Sequence, residues 1–124
     1  MNGKTDLLEL SKAMGVSGEE EKFYRFAQGC LFSMQQRQAT ETEEFFETVR
    51  YCQNNPGKAS VQKCMGISSK SHSKHNETAR ADTEIRNWCT KVLQHPELTE
   101  LSAKELNQLM GYCVRLAKIK GSGL

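Results

Sequence analysis

The sequence has 124 residues, a mass of 14.0 kDa and a formal net charge of +2. This length suffices for one helical core and excludes two independent ones, so we predict a single domain over residues 1–124. No apolar run approaches the length of a membrane span, and the first residues lack the apolar core of a signal peptide. We therefore expect a cytoplasmic protein with no membrane contact.

The charge is unevenly distributed along the chain. Residues 1–50 carry six Lys or Arg against nine Asp or Glu, whereas residues 51–124 carry eleven against six. The second half is therefore the one that we expect to meet a polyanion.

Helix signals begin near the start of the chain. Asp6 is a predicted N-cap, and Gly15 is the predicted end of a first short helix. Ser17 and Glu20 have the spacing of a capping box, which predicts a long helix from there to about Gln38. Its apolar stripe has helical spacing and consists of Phe23, Phe26, Ala27, Cys30, Leu31 and Met34.

A second capping signature, Thr40 with Glu43, predicts a break before another helix. That helix has an apolar stripe through residues 45–52 and is expected to end at residues 54–57, which read NNPG. A short helix over residues 60–65, stopped by Gly66, is predicted to follow.

Residues 68–76 read SSKSHSKHN, which predicts a mobile basic loop. A helix is then expected from about Glu77 to about His95, with Trp88 at the centre of the core of the second half. A capping box at Ser102 and Glu105 opens the last predicted helix, and residues 121–124 are predicted to be a frayed tail. No stretch alternates with a period of two, so the predicted fold is an all-α compact bundle of five to six helices.

Metal binding and catalysis find little support in the motifs. The spacing of Cys52, Cys64, His72 and His75 fits no zinc-site pattern, so we expect buried thiols, a solvated His-rich loop and no metal. The chain has no nucleophile turn and no Gly-rich phosphate loop, and its clustered carboxylates fall in first turns of helices. We expect no enzyme activity, no cofactor and no small-molecule substrate.

Residues 60–74, SVQKCMGISSKSHSK, follow the rhythm of the first half of a helix-turn-helix. The second half departs from that motif, because Gln62 stands where a small residue is usual and His72 and His75 stand where apolar residues would anchor the recognition helix. A DNA-binding regulator built on this segment therefore stays open as an alternative.

Phosphate contact is the interpretation that the charges favour. A stretch rich in Lys and Arg, interspersed with serines, would bind the phosphate backbone of nucleic acid without recognising specific bases. The competing interpretation is a solvated basic face. Aromatic residues do not interleave with these cations, which argues against recognition by base stacking. The candidate phosphate ligands of this stretch are Lys58, Lys63, Lys70, Lys74, Arg80 and Arg86.

The runs FYRFAQGCLFSMQQRQ (residues 23–38) and GYCVRLAKIKGSGL (residues 111–124), with the basic stretch between them, resemble the small helical subunit of CRISPR effector complexes. The resemblance implies a non-catalytic subunit that contacts other subunits and copies of itself and stabilises a guide-target duplex or a displaced strand. It adds Arg115, Lys118 and Lys120 as candidate phosphate contacts, and residues 41–47 as an acidic face for the next copy. A helical adaptor that binds only protein is a further alternative.

Overall fold

The computed structural model describes residues 6–37, 42–66 and 75–121, with only the backbone described for residues 75–80. Within these ranges there is no strand, and the all-α prediction of five to six helices is confirmed. The α-helices are α1 (Leu7–Ala13), α2 (Glu21–Gln36), α3 (Glu43–Asn54), α4 (Ala59–Cys64), α5 (His75–Leu93) and α6 (Ala103–Gly121), and two 3₁₀ helices occupy Gly18–Glu20 and Pro96–Glu100. None of the helices described is both long and apolar enough to cross a membrane.

The predicted caps of the first helices are present. The Asp6 carboxylate accepts the backbone N–H groups of Leu8 at 3.1 Å and Glu9 at 3.2 Å, and Gly15 ends the segment with φ of +68°. The Ser17 backbone N–H donates to Glu20 Oε1 at 3.0 Å. These local contacts define the start of both helices because they satisfy N–H groups that have no partner within the helix.

Several helix boundaries differ from the prediction. Helix α2 ends at Gln36 instead of Gln38, and α3 begins at Glu43, while the predicted cap Thr40 lies outside the described residues. Most of the predicted loop also lies outside them, but its last two residues, 75 and 76, already belong to α5. At the other end of the chain, Gly121 is the last residue of α6 and not part of a tail.

The C-terminal end of α6 packs on residues 16–18, just before α2, and the helix extends to Gly121. A Cβ placed on Gly18 would lie 2.7 Å from the Cα of Gly121, so the two backbones meet closely. The Lys120 ammonium donates to the Val16 carbonyl at 2.7 Å in the same region. The remaining residues, 122–124, lie outside the described part of the chain.

The core forms between helices that are distant in sequence. Helix α6 packs most extensively against α2 and also covers α1, whereas α3 packs against α5. The predicted stripe of α2 is mostly buried, although Phe26 and Cys30 are only partly so. Tyr24 is fully buried although it was absent from that stripe, because its ring packs edge-on against Trp88 of α5.

Trp88 is buried at the junction of the two halves of the chain. Its ring stacks on Phe23 with centroids 5.6 Å apart and meets Tyr24 edge-on at 5.7 Å and Phe26 at 6.5 Å. All three partners belong to α2, so Trp88 is not the centre of a separate core for the second half. A single hydrophobic cluster includes residues from both halves.

Candidate nucleic-acid interface

The cations predicted around α4 and α5 are only partly described. Lys58 immediately precedes α4, and its ammonium lies 2.9 Å from the Tyr51 hydroxyl and 5.4 Å from the centre of that ring. Lys63 and Arg86 are exposed on α4 and α5. The other three predicted ligands of this stretch cannot be placed, since Lys70 and Lys74 lie outside the described residues and Arg80 is described only by its backbone.

The cations of α6 fall on two different faces of that helix. Arg115 and Lys118 share an exposed face with Lys104, because spacings of eleven and three residues bring side chains to the same side of a helix. This face is opposite the buried stripe of α6. Lys120 lies elsewhere, with its ammonium on the Val16 carbonyl. Two of the three predicted α6 cations therefore share a surface.

A polar groove of about 490 Å³ separates this face of α6 from α2. Two cations, four side-chain amides, a tyrosine and a glycine line it, and the lining contains no carboxylate. We call it the amide groove. Its residues are Gln28, Gln35, Lys104, Asn107, Gln108, Gly111, Tyr112 and Arg115.

The contacts within the amide groove leave donors free to meet an anion. Asn107 Nδ2 donates to Gln35 Oε1 at 3.0 Å, which links the two helices. The Arg115 guanidinium lies 6.0 Å from the centre of the Tyr112 ring, and no salt bridge engages it or Lys104 among the described residues. Guanidinium, ammonium and amide N–H groups are the donors that proteins use to hold phosphate oxygens.

Close approach of the two helices depends in part on Gly111. A Cβ at this position would lie 3.2 Å from Gln28 Nε2, so a larger residue would press on an amide of the groove. On the α2 side, Phe32 falls between Gln28 and Gln35 on the helix surface and is 58% exposed. Tyr112 is thus the aromatic side chain that the structure places beside a cation of the groove, Arg115, whereas Phe32 lies outside its lining.

Sequence reasoning missed Lys104 and all four amides of the groove. The signal available for Lys104 was its spacing from Arg115 and Lys118, which places it on their face of a predicted helix. The amides of α2 had no such signal, because only tertiary packing shows that α2 lies beside α6.

The acidic face predicted over residues 41–47 already has partners within the chain. Glu44 pairs with Arg37 at 2.6 Å, and Glu43 pairs with Arg50. Glu47 is exposed, and Glu41 lies outside the described residues. Binding of a second copy through this face would therefore compete with pairs that exist in one chain.

Only the start of the segment that resembles half of a helix-turn-helix, as far as Gly66, is described. Helix α4 is followed by Gly66 with φ of +81°, as a turn at this point requires. Gln62, which departs from the motif, is buried and donates to the Pro56 carbonyl at 3.1 Å and to Asp82 Oδ1 at 3.0 Å. It therefore ties α4 to α5, while residues 67–74, where a recognition helix would begin, lie outside the described ranges.

The four Cys and His residues that were weighed as zinc ligands, and for which we expected no metal, are only partly described. No three His, Cys, Asp or Glu side chains among the described residues are grouped so that they could hold one metal ion. Cys52 is buried as expected, but the expectation of a buried thiol was wrong for Cys64, which is exposed at the end of α4. His72 lies outside the described ranges, and the side chain of His75 is not described.

Comparisons with models of protein families, with curated proteins and with solved structures find no match.

Proposed function

We propose that this chain is a non-catalytic, cytoplasmic subunit that binds the phosphate backbone of nucleic acid through the amide groove and the adjoining face of α6. The proposal keeps the small subunit of a CRISPR effector as the kind of assembly in which such a chain would work, with other subunits and further copies as partners. The single observation that carries it is the composition of the groove, where cations and amides converge without a carboxylate.

Charge and chemistry support this role more than an enzymatic one. Lys104, Arg115 and Lys118 form a positive row along α6, and the amides beside them add uncharged donors. Such a surface suits sequence-independent contact with phosphates. A row of Lys and Arg side chains beside neutral amides offers hydrogen-bond donors and no pairing of an acid with a base, so binding is the function that it fits.

The alternatives differ in what they bind. A regulator built on residues 60–74 would bind a specific duplex as a dimer, and Gly66 with its positive φ is the observation in its favour. A helical adaptor would bind protein, and the α6 cations would then have no part in binding.

Binding of labelled single-stranded and duplex oligonucleotides, followed by fluorescence anisotropy over a range of salt concentrations, tests the proposal. The variant Lys104→Glu/Arg115→Glu is expected to lower affinity about 10- to 100-fold and to reduce the slope of log K against log salt by about 1.5 to 2. A second variant, Lys70→Glu/Lys74→Glu, tests the other predicted cations.

A matched control is Lys12→Glu/Arg50→Glu, which reverses two exposed charges outside the groove. We expect it to change affinity less than about threefold. Equal losses in the control and the groove variant would show that only the overall charge matters and would overturn the site. Absence of binding to any oligonucleotide would overturn the function and favour the adaptor, whereas tight binding to one duplex sequence as a dimer would favour the regulator.

A further inference from the structure

A second groove, on the opposite flank of α2, is lined by four sulfur-containing side chains. It has a volume of about 700 Å³ and runs between α2, the first turns of α3 and the end of α4. Cys30 and Met34 contribute from successive turns of α2, and Cys64 and Met65 contribute from the end of α4. We call it the sulfur groove.

The two thiols can be reached from solvent. Cys64 is exposed and Cys30 is partly exposed, whereas Met34 and Met65 are each 1% exposed and belong to the floor of the groove. Cysteine binds metal ions as the thiolate, so an ion that binds through these two side chains must displace their S–H protons.

Thiolate and thioether sulfurs are ligands for soft cations, of which Cu(I) is the common one in proteins. Hard cations that need several oxygen ligands find only one carboxylate in the lining, that of Glu44, and it already pairs with Arg37 at 2.6 Å. A four-ligand zinc site needs more donors than two thiols, and no group of three His, Cys, Asp or Glu ligands exists among the described residues.

We propose that the sulfur groove binds one soft monovalent cation, Cu(I) or Ag(I), through Cys30 and Cys64, with the thioethers of Met34 and Met65 beside it. This ligand set shares only Cys64 with the four residues whose spacing was found to fit no zinc site. Binding exchanges two S–H protons for one metal ion without any change of oxidation state. The bis-thiolate complex carries one negative charge.

The cations along the wall of the groove do not prevent a cation from entering. Lys22 and Arg25 of α2 and Arg37 just after it line the groove. Each is paired with a carboxylate of the protein, at 3.8, 2.7 and 2.6 Å respectively, so the wall does not present a strongly positive surface that would repel an incoming cation.

Anaerobic titration with Cu(I), in competition with the chromogenic chelator bicinchoninate, tests the site. The wild-type chain is expected to take up one Cu(I), to release two protons and to elute at the same volume in size-exclusion chromatography with and without Cu(I). Cys64→Ser and Cys30→Ser are each expected to weaken binding by about 100-fold, and Met34→Leu or Met65→Leu by about 10-fold. Because Cys64 is exposed, its variant tests the site without disturbing the core.

The chain offers a matched control in a second sulfur pair. Cys113 Sγ and Met14 Sδ lie 4.0 Å apart in the core, and neither residue lines the groove. Cys113→Ala and Met14→Leu are expected to leave Cu(I) affinity unchanged. The proposal is overturned if Cys64→Ser binds Cu(I) as tightly as the wild type, if the controls lose as much affinity, or if Cu(I) joins two chains into a dimer. None of these readouts depends on nucleic-acid binding.

Discussion

Lys91 on α5 holds Glu20 in place in the turn before α2. The Lys91 ammonium lies 2.7 Å from Glu20 Oε2 and 2.8 Å from the Gly15 carbonyl, while Glu20 Oε1 accepts the Ser17 N–H. The Glu20 and Lys91 side chains are only 11% and 24% exposed. The acidic first half and the basic second half of the sequence therefore meet inside one chain, where solvent screens the pair poorly.

Removing the ammonium should destabilise the fold. We expect Lys91→Met to lower the free energy of unfolding by about 2 kcal/mol, because it leaves the partly buried Glu20 carboxylate without its cation. Lys12→Met, which removes a cation from an exposed pair with Glu9, should cost less than about 0.5 kcal/mol. Urea denaturation measures both. A Lys91→Met variant as stable as Lys12→Met would show that the Glu20–Lys91 pair contributes nothing net.

Substitution by Ala should lower the free energy of unfolding at one glycine and raise it at another. Gly18→Ala would press a Cβ against the backbone of Gly121, at 2.7 Å from its Cα, and we expect a loss of about 1 to 3 kcal/mol. A Cβ at Gly29, on the exposed surface of α2, would have no neighbour within 4 Å. We therefore expect Gly29→Ala to raise the free energy of unfolding by about 0.5 to 1 kcal/mol, because Ala favours the helix over Gly. Thermal unfolding distinguishes them, and a neutral Gly18→Ala would contradict the close approach of these two backbones.

Tyr24 carries a hydroxyl that the core does not satisfy. Tyr24 Oη and Trp88 Nε1 are buried without a hydrogen-bond partner among the described residues, although the two rings meet with centroids 5.7 Å apart. Tyr24→Phe should therefore leave the free energy of unfolding unchanged or raise it by about 1 kcal/mol. Tyr51→Phe is the comparison, because it removes an exposed hydroxyl that does accept a hydrogen bond, from Lys58 at 2.9 Å, and should cost less than about 1 kcal/mol. A loss of 1 kcal/mol or more in Tyr24→Phe would reveal a hydrogen bond to that hydroxyl.

Stability should fall in alkaline solution because of the buried thiols. Burial raises the pKa of Cys89 and of Cys113 to about 12, so the unfolded chain loses these protons first. The contribution of these two thiols to the free energy of unfolding is fully present below about pH 9 and is lost as the pH rises toward 12.

Between these two pH values, the free energy of unfolding should fall by up to about 1.4 kcal/mol per pH unit for each buried thiol. Urea midpoints from about pH 8 to about pH 10.5 measure it. Cys113→Ala should make the decline shallower, even if the variant is less stable at neutral pH. The same slope in Cys113→Ala and in the wild type would show that this thiol has no raised pKa.

Local features of the fold could be predicted from the sequence. The capping box of Ser102 and Glu105 forms as expected, with the Ser102 N–H donating to Glu105 Oε1 at 3.0 Å and the Glu105 N–H donating to Ser102 Oγ at 3.1 Å. Gly66 ends α4 with a positive φ, also as expected. Both depend on residues within a few positions of each other, so the sequence carries their signal directly.

The pairing of helices could not be predicted in the same way. Helical periodicity shows which face is apolar but not which helix covers it, so Trp88 was expected to serve the second half and instead packs on α2. The amide groove was missed for the same reason, since Gln28 and Asn107 become neighbours only when α2 lies beside α6. Lys104 alone had a local signal, its spacing from Arg115.

The pairing of α2 with α6 also determines when this protein can fold during its synthesis. Helix α2 leaves the ribosome early, but the helix that covers most of its apolar face is α6, which is made last among the described elements. Until α6 emerges, the part of the apolar face of α2 that α6 covers is exposed to water and to other chains. Ribosome-bound chains that stop before residue 103 should therefore be sensitive to proteases and prone to capture by chaperones.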